Sequence, residues 1–296
     1  MLTQLGERVF VITGGVNVGA ILAGDGTAIL VDAGVSETNG KKVLKAVREE
    51  LQREVSAILT THGHADHFGA NAAIVKRTGA RVFAPALDEA VLRYPLLQAS
   101  SLYGGADPLD SLRTGFLLGH ASPVDELIHP GRLNVGGVEF EVIGLAGHSM
   151  NQVGLLFDDV FFCADVVLPE SVLAKYRIPY LYSVTDHLRA LDTAAAVACR
   201  WAVPGHGPIV ESLSALIELN RQLVLDVAST ITEICTQEQT AESLLGQVLR
   251  VFEAPVSDAA GFYLLQPTIF AFLSHLHRSG RIGHRVESGQ SLWVSV

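Results

Sequence analysis

The pattern of apolar and polar positions predicts alternating strands and helices in the first third of the chain. Short β-branched runs bounded by glycine or aspartate are typical of strands, whereas an apolar face opposite a charged face is typical of an amphipathic helix. By these criteria the sequence predicts strands at residues 8–13, 28–32, 55–61 and 80–84, and helices at residues 41–54 and 71–78.

Residues 87–130 interrupt the alternation of strands and helices with a long segment rich in leucine and aromatic residues. The segment predicts two helical pieces, at residues 88–98 and 108–118, separated by Tyr103-Gly104-Gly105. A long insertion of this kind is a candidate lid over a site or an interface element. Extra packing against the core is the alternative.

The pattern then returns to strands and ends in helices. Strands are predicted at residues 132–135, 138–144, 153–157, 160–164 and 201–203, with a helix at 188–200. Two β-rich halves, each with helices, predict an α/β layered sandwich. Further on, helices are predicted at residues 211–235, 240–252 and 266–279, followed by a hairpin of strands at 281–286 and 291–295. We therefore expect a main domain at residues 1–211 and a small helical, winged-helix-like domain at residues 212–296.

Composition narrows the classes of function. Of the 296 residues, 49% are hydrophobic, and 21 Lys and Arg against 31 Asp and Glu give a formal net charge of -10, which disfavours nucleic-acid binding. The three cysteines, Cys163, Cys199 and Cys235, are scattered and form no CxxC pair, so no disulfide framework is expected. The sequence predicts no signal peptide and no membrane span, and the expected location is cytoplasmic.

The most informative segment follows the predicted strand at residues 55–61. It reads Thr61-His62-Gly63-His64-Ala65-Asp66-His67-Phe68-Gly69, with three imidazoles and one carboxylate close together. Imidazole and carboxylate are good ligands for zinc and neighbouring first-row metals. Surface histidines rarely cluster in this way directly after a buried strand, so the spacing indicates a metal site.

Three more candidate ligands follow other predicted strands. They are His148 in Gly-His-Ser, Asp165 after the strand at residues 160–164, and His206 in Pro-Gly-His-Gly. Each is weak alone, because a single loop histidine is usually solvated. Together with His62, His64, Asp66 and His67 they make seven ligands, enough for two ions.

The combined pattern resembles the metallo-β-lactamase superfamily, which also contains glyoxalase II enzymes, lactonases and several nucleases. The resemblance covers roughly residues 8–210 and includes the strand Ile-Leu-Val-Asp-Ala-Gly at residues 29–34. It implies an αββα sandwich. It also implies one metal held by His62, His64 and His148, a second held by Asp66, His67 and His206, and Asp165 as a bridge between them.

The implied cofactors are two divalent metal ions, with Zn²⁺ favoured and Fe or Mn also suited to the ligands. Two such ions about 3.5–4 Å apart would share a water and generate a hydroxide that attacks a carbonyl or phosphoryl centre. We expect Asp66 to act in catalysis by orienting that hydroxide or moving its proton. Asp32 is either a hydrogen-bond partner behind a ligating histidine or a structural turn residue. Cys163 is expected to share a strand face with Asp165, because it lies two residues before it, and some members of the superfamily that the sequence resembles use a cysteine ligand in this region. The position of Asp165 fits a ligand better, so Cys163 is expected to be a small buried hydrophobic residue.

The substrate must be inferred from the walls of the site, which are expected from residues 87–130 and 167–182. Both segments are apolar and aromatic, which favours a small-molecule ester, thioester or lactone as the substrate. A nuclease and a partner-binding module with a structural metal site are the alternatives. Tyr182 and His187 are candidate substrate contacts, with helix-capping or surface positions as the alternative.

The C-terminal domain has two interpretations. Its five arginines stand beside eight Asp or Glu and no lysine, which is a poor balance for contacts with phosphates. We therefore favour a packing module that closes the pocket or supports a homodimer over a nucleic-acid-binding module, and we expect no membrane partner.

Overall fold

Two β-sheets packed face to face form the centre of the computed structural model, which describes residues 1–296. The first sheet has seven strands in chain order: β1 Leu2–Gln4, β2 Val9–Ile12, β3 Val18–Leu22, β4 Thr27–Val31, β5 Glu54–Leu59, β6 Arg81–Pro85 and β7 Glu126–Ile128. The second has the order β12-β11-β10-β9-β8, formed by β8 Gly131–Val135, β9 Val138–Gly144, β10 Val153–Phe157, β11 Val160–Ala164 and β12 Trp201–Pro204.

Eleven helices accompany the sheets, some on the outer faces of the sheets and the last ones in a C-terminal region with its own core. They are α1 Glu37–Glu49, α2 Ala65–Phe68, α3 Asn71–Thr78, α4 Asp88–Arg93, α5 Leu96–Leu102, α6 Gly115–Leu118, α7 Glu170–Tyr176, α8 Val184–Ala195, α9 Ser214–Ile234, α10 Ala241–Val251 and α11 Ala259–Arg278. Helices α1 and α3 pack on the first sheet, and α8 packs on the second with the start of α9. The layers therefore follow the predicted αββα order, and the predicted fold class is confirmed.

Strand β11 shows why the sequence of these sheets is apolar at successive positions. Val160 and Phe162 pack between the two sheets, whereas Phe161 and Cys163 pack beneath the helices. Successive side chains point to opposite faces, so a strand covered on both faces buries every one. Strand β11 also pairs in parallel with β12, which brings their carboxyl ends to the same edge.

The inserted segment differs from its prediction. The single helix predicted at residues 88–98 is wrong: α4 and α5 are separated at Pro95, because proline lacks an N–H and disfavours helical backbone in the residue before it. The helix predicted at 108–118 is a 3₁₀ turn at Asp110–Leu112 followed by the short α6. The end of the segment forms β7, which extends the first sheet.

Three predicted helix starts are also wrong. Helix α1 begins at Glu37 rather than at residue 41, because Ser36 caps it, and it ends at Glu49 rather than at residue 54. Helix α8 begins at Val184 rather than at residue 188, because the Ser183 hydroxyl caps it. Helix α11 begins at Ala259 rather than at residue 266, because Asp258 caps it and accepts a bond from the Gly261 amide at 2.8 Å. Pro267 lies inside this helix.

The C-terminal helical region has a core of its own. Helices α9, α10 and α11 share this core with the first strand of a hairpin, β13 Ile282–Glu287 and β14 Gln290–Ser295. Ile178, Leu181 and Val184 of the preceding segment belong to the same cluster. The division at residues 211 and 212 stays a prediction.

By length and composition, α11 could span a membrane, with a mean hydropathy of 1.2 over a window that is 39% buried. A core helix of a soluble protein passes the same test, and Ile269 and Phe272 of α11 lie in the C-terminal core.

Candidate metal centre

Four strands end at one edge of the sandwich, and the candidate ligands follow directly after them. Residues 60–69 leave β5, His148 lies in the loop after β9, Asp165 follows β11 and His206 follows β12. Residues that follow a strand are not held by the hydrogen bonds between strands, so their side chains can turn toward a common space. The seven residues named from the sequence all meet in this space: His62, His64, Asp66, His67, His148, Asp165 and His206.

The first group consists of His62, His64 and His148, whose ligand atoms lie within 4.8 Å of one another. The Nδ1 atom of His64 is 3.1 Å from Nε2 of His62 and 2.9 Å from Nε2 of His148. Three ring nitrogens facing one point can hold a single cation.

The second group consists of Asp66, His67 and His206. Oδ2 of Asp66 lies 3.3 Å from Nε2 of His206 and 3.9 Å from Nε2 of His67. Asp165 stands between the two groups, with Oδ2 3.4 Å from Nε2 of His148 and 3.3 Å from Nε2 of His206, and Oδ1 3.5 Å from Nε2 of His67. One carboxylate therefore reaches members of both groups.

Asp32 orients two of the histidines from behind. Its Oδ2 lies 2.7 Å from Nδ1 of His67, and its carboxylate accepts bonds from the Thr61 amide and hydroxyl. The same hydroxyl lies 3.1 Å from Nδ1 of His62. Such outer bonds fix ring orientation and leave Nε2 for a metal, so Asp32 has the contacts expected of a partner behind a ligating histidine. Its left-handed backbone, φ 61°, also makes it a turn residue.

Backbone carbonyls hold the other two Nε2-presenting histidines. Nδ1 of His148 lies 3.1 Å from the Tyr180 carbonyl oxygen, and Nδ1 of His206 lies 2.7 Å from that of Gly15. A carbonyl can only accept, so each Nδ1 carries the proton and each Nε2 is left toward the site.

The residues fit a divalent metal. Nε2 of His67 and Oδ1 of Asp165 are buried and have no hydrogen-bond partner, which is unfavourable unless a cation binds them. Gly205 keeps this space open, because a Cβ there would lie 2.0 Å from Oδ1 of Asp165 and 2.8 Å from Cε1 of His67. Imidazole and carboxylate without thiolate suit zinc, iron or manganese.

At neutral pH the ionised Asp66 and the neutral His148 are in the form that binds a metal, whereas His206 is protonated. Burial raises the pKa of Asp66, but His67 and the bond from His206 outweigh it and lower that pKa to about 2. Burial and the neighbouring His64 lower the pKa of His148 to about 3. Burial lowers the pKa of His206, but Asp165 and Asp66 outweigh it and raise that pKa to about 10. Metal binding must therefore release a proton from His206 at neutral pH.

Asp88 is a supporting residue that sequence reasoning missed. It is buried at the start of α4, where Oδ1 accepts a bond from the Gly63 amide and Oδ2 one from the Asn151 amide, both at 2.8 Å. It thereby ties the loop of His62 and His64 to the loop of His148. In the sequence it resembles an ordinary acidic residue in a first helical turn.

Asn17 was also missed, and it holds the loop of His206. The side-chain Nδ2 of Asn17 donates to the carbonyl oxygens of Pro204 and Gly207, both at 2.9 Å. The backbone N–H of Asn17 donates to the carbonyl oxygen of Gly205 at 2.8 Å. No local signal marks an asparagine that binds a loop almost two hundred residues away.

A small cleft, of about 40 Å³, opens beside His64, and no lysine or arginine lines it. Its walls come from α4, α5, the loop after His148 and the segment before α8, and consist of Gly63, His64, Leu87, Asp88, Val91, Gln98, Ser101, Ser149, Met150, Tyr180 and Tyr182. Both segments that the sequence predicts as walls, residues 87–130 and 167–182, contribute side chains to this cleft. The Tyr180 ring stands edge-on to His64, with centroids 5.3 Å apart. A larger cavity, of about 340 Å³, opens beside Asp186 and Arg189 and contains none of the seven candidate ligands.

Two other sequence candidates lie outside the cleft. His187 is 3% exposed, lies inside α8 and packs with its backbone against Gly147, so it is neither a surface residue nor a helix cap. Cys163 packs in the apolar cluster beneath α8 and belongs to no group of potential ligands. Its predicted common face with Asp165 is absent, because Ala164 has a left-handed backbone (φ 49°) that breaks the strand alternation.

Comparison with known proteins gives the same assignment as the geometry. The profile of the Metallo-beta-lactamase superfamily matches residues 11–206. The chain is similar to an atrochrysone carboxyl ACP thioesterase from Aspergillus fumigatus, with 20% identity over 93% of this chain and 80% of that protein. It is also similar to a hydroxyacylglutathione hydrolase from Xanthomonas euvesicatoria pv. vesicatoria, with 27% identity over 61% of this chain and 58% of that enzyme.

Solved structures share the fold over the whole chain. A beta-lactamase domain protein from Burkholderia ambifaria has a TM-score of 0.79 at 17% identity, covering 100% of this chain and 93% of the other. A metallo-beta-lactamase family protein from Thermus thermophilus has a TM-score of 0.76 at 19% identity, covering 99% of this chain and 100% of the other. The chain belongs to the metallo-β-lactamase superfamily of metal-dependent hydrolases.

Proposed function

We propose that this protein is a dinuclear metal-dependent hydrolase that cleaves an ester, thioester or lactone of a small molecule. The observation that carries the proposal is the position of Asp165, whose carboxylate lies within 3.5 Å of His67, His148 and His206, members of both groups. A carboxylate so placed can bridge two ions. The names of the thioesterase and hydroxyacylglutathione hydrolase relatives favour a thioester.

Each candidate ligand has a role in this proposal. His62, His64 and His148 would hold one ion, Asp66, His67 and His206 the other, and Asp165 both. Bound there, the ions would supply a hydroxide at neutral pH and polarise the scissile carbonyl.

Asp66 is the catalytic residue of the proposal. Its side chain is 24% exposed, and its pKa of about 2 keeps it ionised at neutral pH. It can therefore accept a hydrogen bond from the attacking water and orient it toward the substrate.

The cleft favours an acyl substrate over a polynucleotide. Leu87, Val91, Met150 and the tyrosine rings offer apolar contact to an acyl group. A phosphodiester backbone calls for cations, and the lining has none. A structural site is usually closed by four protein ligands, whereas this one adjoins a cleft, which disfavours the partner-binding alternative.

The proposal is tested by elemental analysis of protein purified without chelator, together with assays on esters, thioesters, lactones and single-stranded RNA. We expect about two ions per chain and turnover of an acyl substrate. The variant His64→Ala should lose metal and turnover. The control His284→Ala changes an exposed histidine of the C-terminal hairpin and should keep the metal content and the turnover of the unmodified chain. At most one ion after reconstitution, or cleavage of RNA alone, contradicts the proposal.

A further inference from the structure

The peptide group between Tyr180 and Leu181 is held from both sides. Its carbonyl accepts the bond from Nδ1 of His148 at 3.1 Å, and its N–H donates to the Thr268 hydroxyl at 3.1 Å. A trans peptide is planar and directs its carbonyl and N–H in opposite directions. The group is therefore a rigid link between a candidate metal ligand and α11, which carries Thr268.

The surrounding segment, residues 178–184, is anchored in the C-terminal core. The Leu181 side chain is fully buried there, and Ile178 and Val184 pack in the same cluster. The amides of Tyr182 and Ser183 both donate to the Gly147 carbonyl oxygen at 2.9 Å. The loop of His148 therefore makes three hydrogen bonds with a segment whose apolar side chains belong to the C-terminal core.

Burial leaves the Leu181 amide no alternative partner. Thr268 and Leu181 are both 0% exposed. Without the hydroxyl the Leu181 N–H would be buried and unpaired, which is unfavourable enough to shift the peptide group. A shift of this group moves the carbonyl that orients His148.

We propose that Thr268 is a positioning residue, which fixes the His148 imidazole for metal binding through the peptide group between Tyr180 and Leu181. The C-terminal helical region is thereby part of the support of the metal site, in addition to packing against the sandwich. The inference rests on the proposed function in one respect, namely that His148 is a metal ligand.

Thr268→Val tests the proposal in the full-length chain, because valine keeps the shape of threonine and removes the hydroxyl. The matched control is Thr185→Val, which removes a comparable bond between α8 and α11, where the Thr185 hydroxyl lies 2.8 Å from Nδ1 of His275. Thr268→Ser retains the hydroxyl. The readouts are the Zn²⁺ dissociation constant, measured by chelator competition, and the separate values of kcat and KM.

We expect Thr268→Val to weaken Zn²⁺ binding about tenfold, the lower end of the effect of losing a ligand's outer partner. It should lower kcat more than it raises KM. Thr268→Ser should bind Zn²⁺ like the unmodified chain, and Thr185→Val should lose thermal stability without losing Zn²⁺ affinity. Equal Zn²⁺ affinities in Thr268→Val and Thr185→Val would overturn the proposal.

If Thr268→Val does not fold, hydrogen exchange of the unmodified chain tests the proposal instead. Coupling between sites is reciprocal, so Zn²⁺ should slow exchange of the Leu181 amide more than that of the Cys235 amide, which bonds to the Ile231 carbonyl at the end of α9 and reports the general stabilisation of the fold. Slowing at Leu181 that is no greater than at Cys235 overturns the inference. His148→Ala separates the two proposals: unchanged Zn²⁺ binding in that variant contradicts the proposed function itself.

Discussion

Two side chains in the site, His67 and Asp165, each have one buried atom without a hydrogen-bond partner. Asp32 holds Nδ1 of His67, while Nε2 of the same ring has no partner, and Oδ1 of Asp165 is also unpaired. An unpaired buried polar atom is unfavourable by about 1–3 kcal/mol. A cation bound in the site would relieve this penalty, and the residues that keep the two atoms in place support its binding.

Gly205→Ala tests this close packing. The new Cβ would lie 2.0 Å from Oδ1 of Asp165, so the carboxylate or the loop must move. We expect metal affinity to fall at least about tenfold, as it does when a supporting contact is lost, with a parallel loss of activity. The control is Gly24→Ala, where a Cβ meets nothing within 4 Å. Isothermal titration with Zn²⁺ provides the measurement, and equal affinities in the two variants would contradict the prediction.

Asp88→Asn tests the support of the two ligand loops. An amide can accept from one backbone N–H, but its NH₂ group faces the other donor, so one of the bonds to Gly63 and Asn151 is lost. We expect a loss of about 1–3 kcal/mol in unfolding free energy and weaker metal binding, measured by urea denaturation and chelator competition. Glu89→Gln changes the neighbouring carboxylate as a control. A variant that binds metal normally would show that Asp88 is only a helix residue.

At the scale of elements, α8 connects the pH dependence of stability to the loop of His148. His187 on this helix lies against Gly147, whose φ of +141° and missing Cβ allow the contact. Burial, with a smaller contribution from Arg221, lowers the pKa of His187 to about 4. Neither ring nitrogen has a hydrogen-bond partner.

This histidine should make the protein less stable in acid. A buried neutral histidine binds protons less readily than the same histidine in the unfolded chain. The unfolding free energy is therefore unaffected by this group above pH 6.5 and decreases as the pH falls from 6.5 toward 4. The loss amounts to about 3 kcal/mol, because one pKa unit corresponds to about 1.4 kcal/mol. His187→Leu should flatten the profile of unfolding free energy over this range. Parallel profiles of the variant and the unmodified chain would exclude His187 as the source.

At the scale of the whole molecule, loops from both sheets and contacts from the C-terminal region converge on one edge of the sandwich. Ligands from four strand ends come together only when both sheets are formed, so metal binding should stabilise the complete fold. Zn²⁺ at about one hundred times its dissociation constant should add about 2.7 kcal/mol per site to the unfolding free energy.

Calorimetry with and without chelator measures this effect as a shift in Tm. The shift should persist in His284→Ala and diminish in His64→Ala. A Tm that does not respond to metal in the unmodified chain would mean that the seven residues do not hold ions in the folded state.

Much of the fold and of the candidate site was predictable because its signals are local. Apolar runs marked most strands, the predicted αββα order is confirmed, and the superfamily assignment is confirmed by the match to residues 11–206. The structure brings the seven candidate ligands together, while their role as ligands stays a prediction. The helices of the insertion and the start of α11 were misplaced, because Pro95 interrupts one apolar run and the Asp258 cap starts α11 before the other.

By itself, the sequence determined which candidate ligands follow the strand ends and therefore which chemistry is predicted for the site, since residue type and position after a strand are both readable along the chain. Only the tertiary structure decided how that chemistry is supported. Asp88, Asn17 and Thr268 act on loops distant in sequence, through hydrogen bonds that no local pattern encodes. Cys163 shows the same limit, because the left-handed turn at Ala164 directs it away from Asp165. Contacts between distant segments depend on packing of the complete chain, and for that reason they become visible only in the fold.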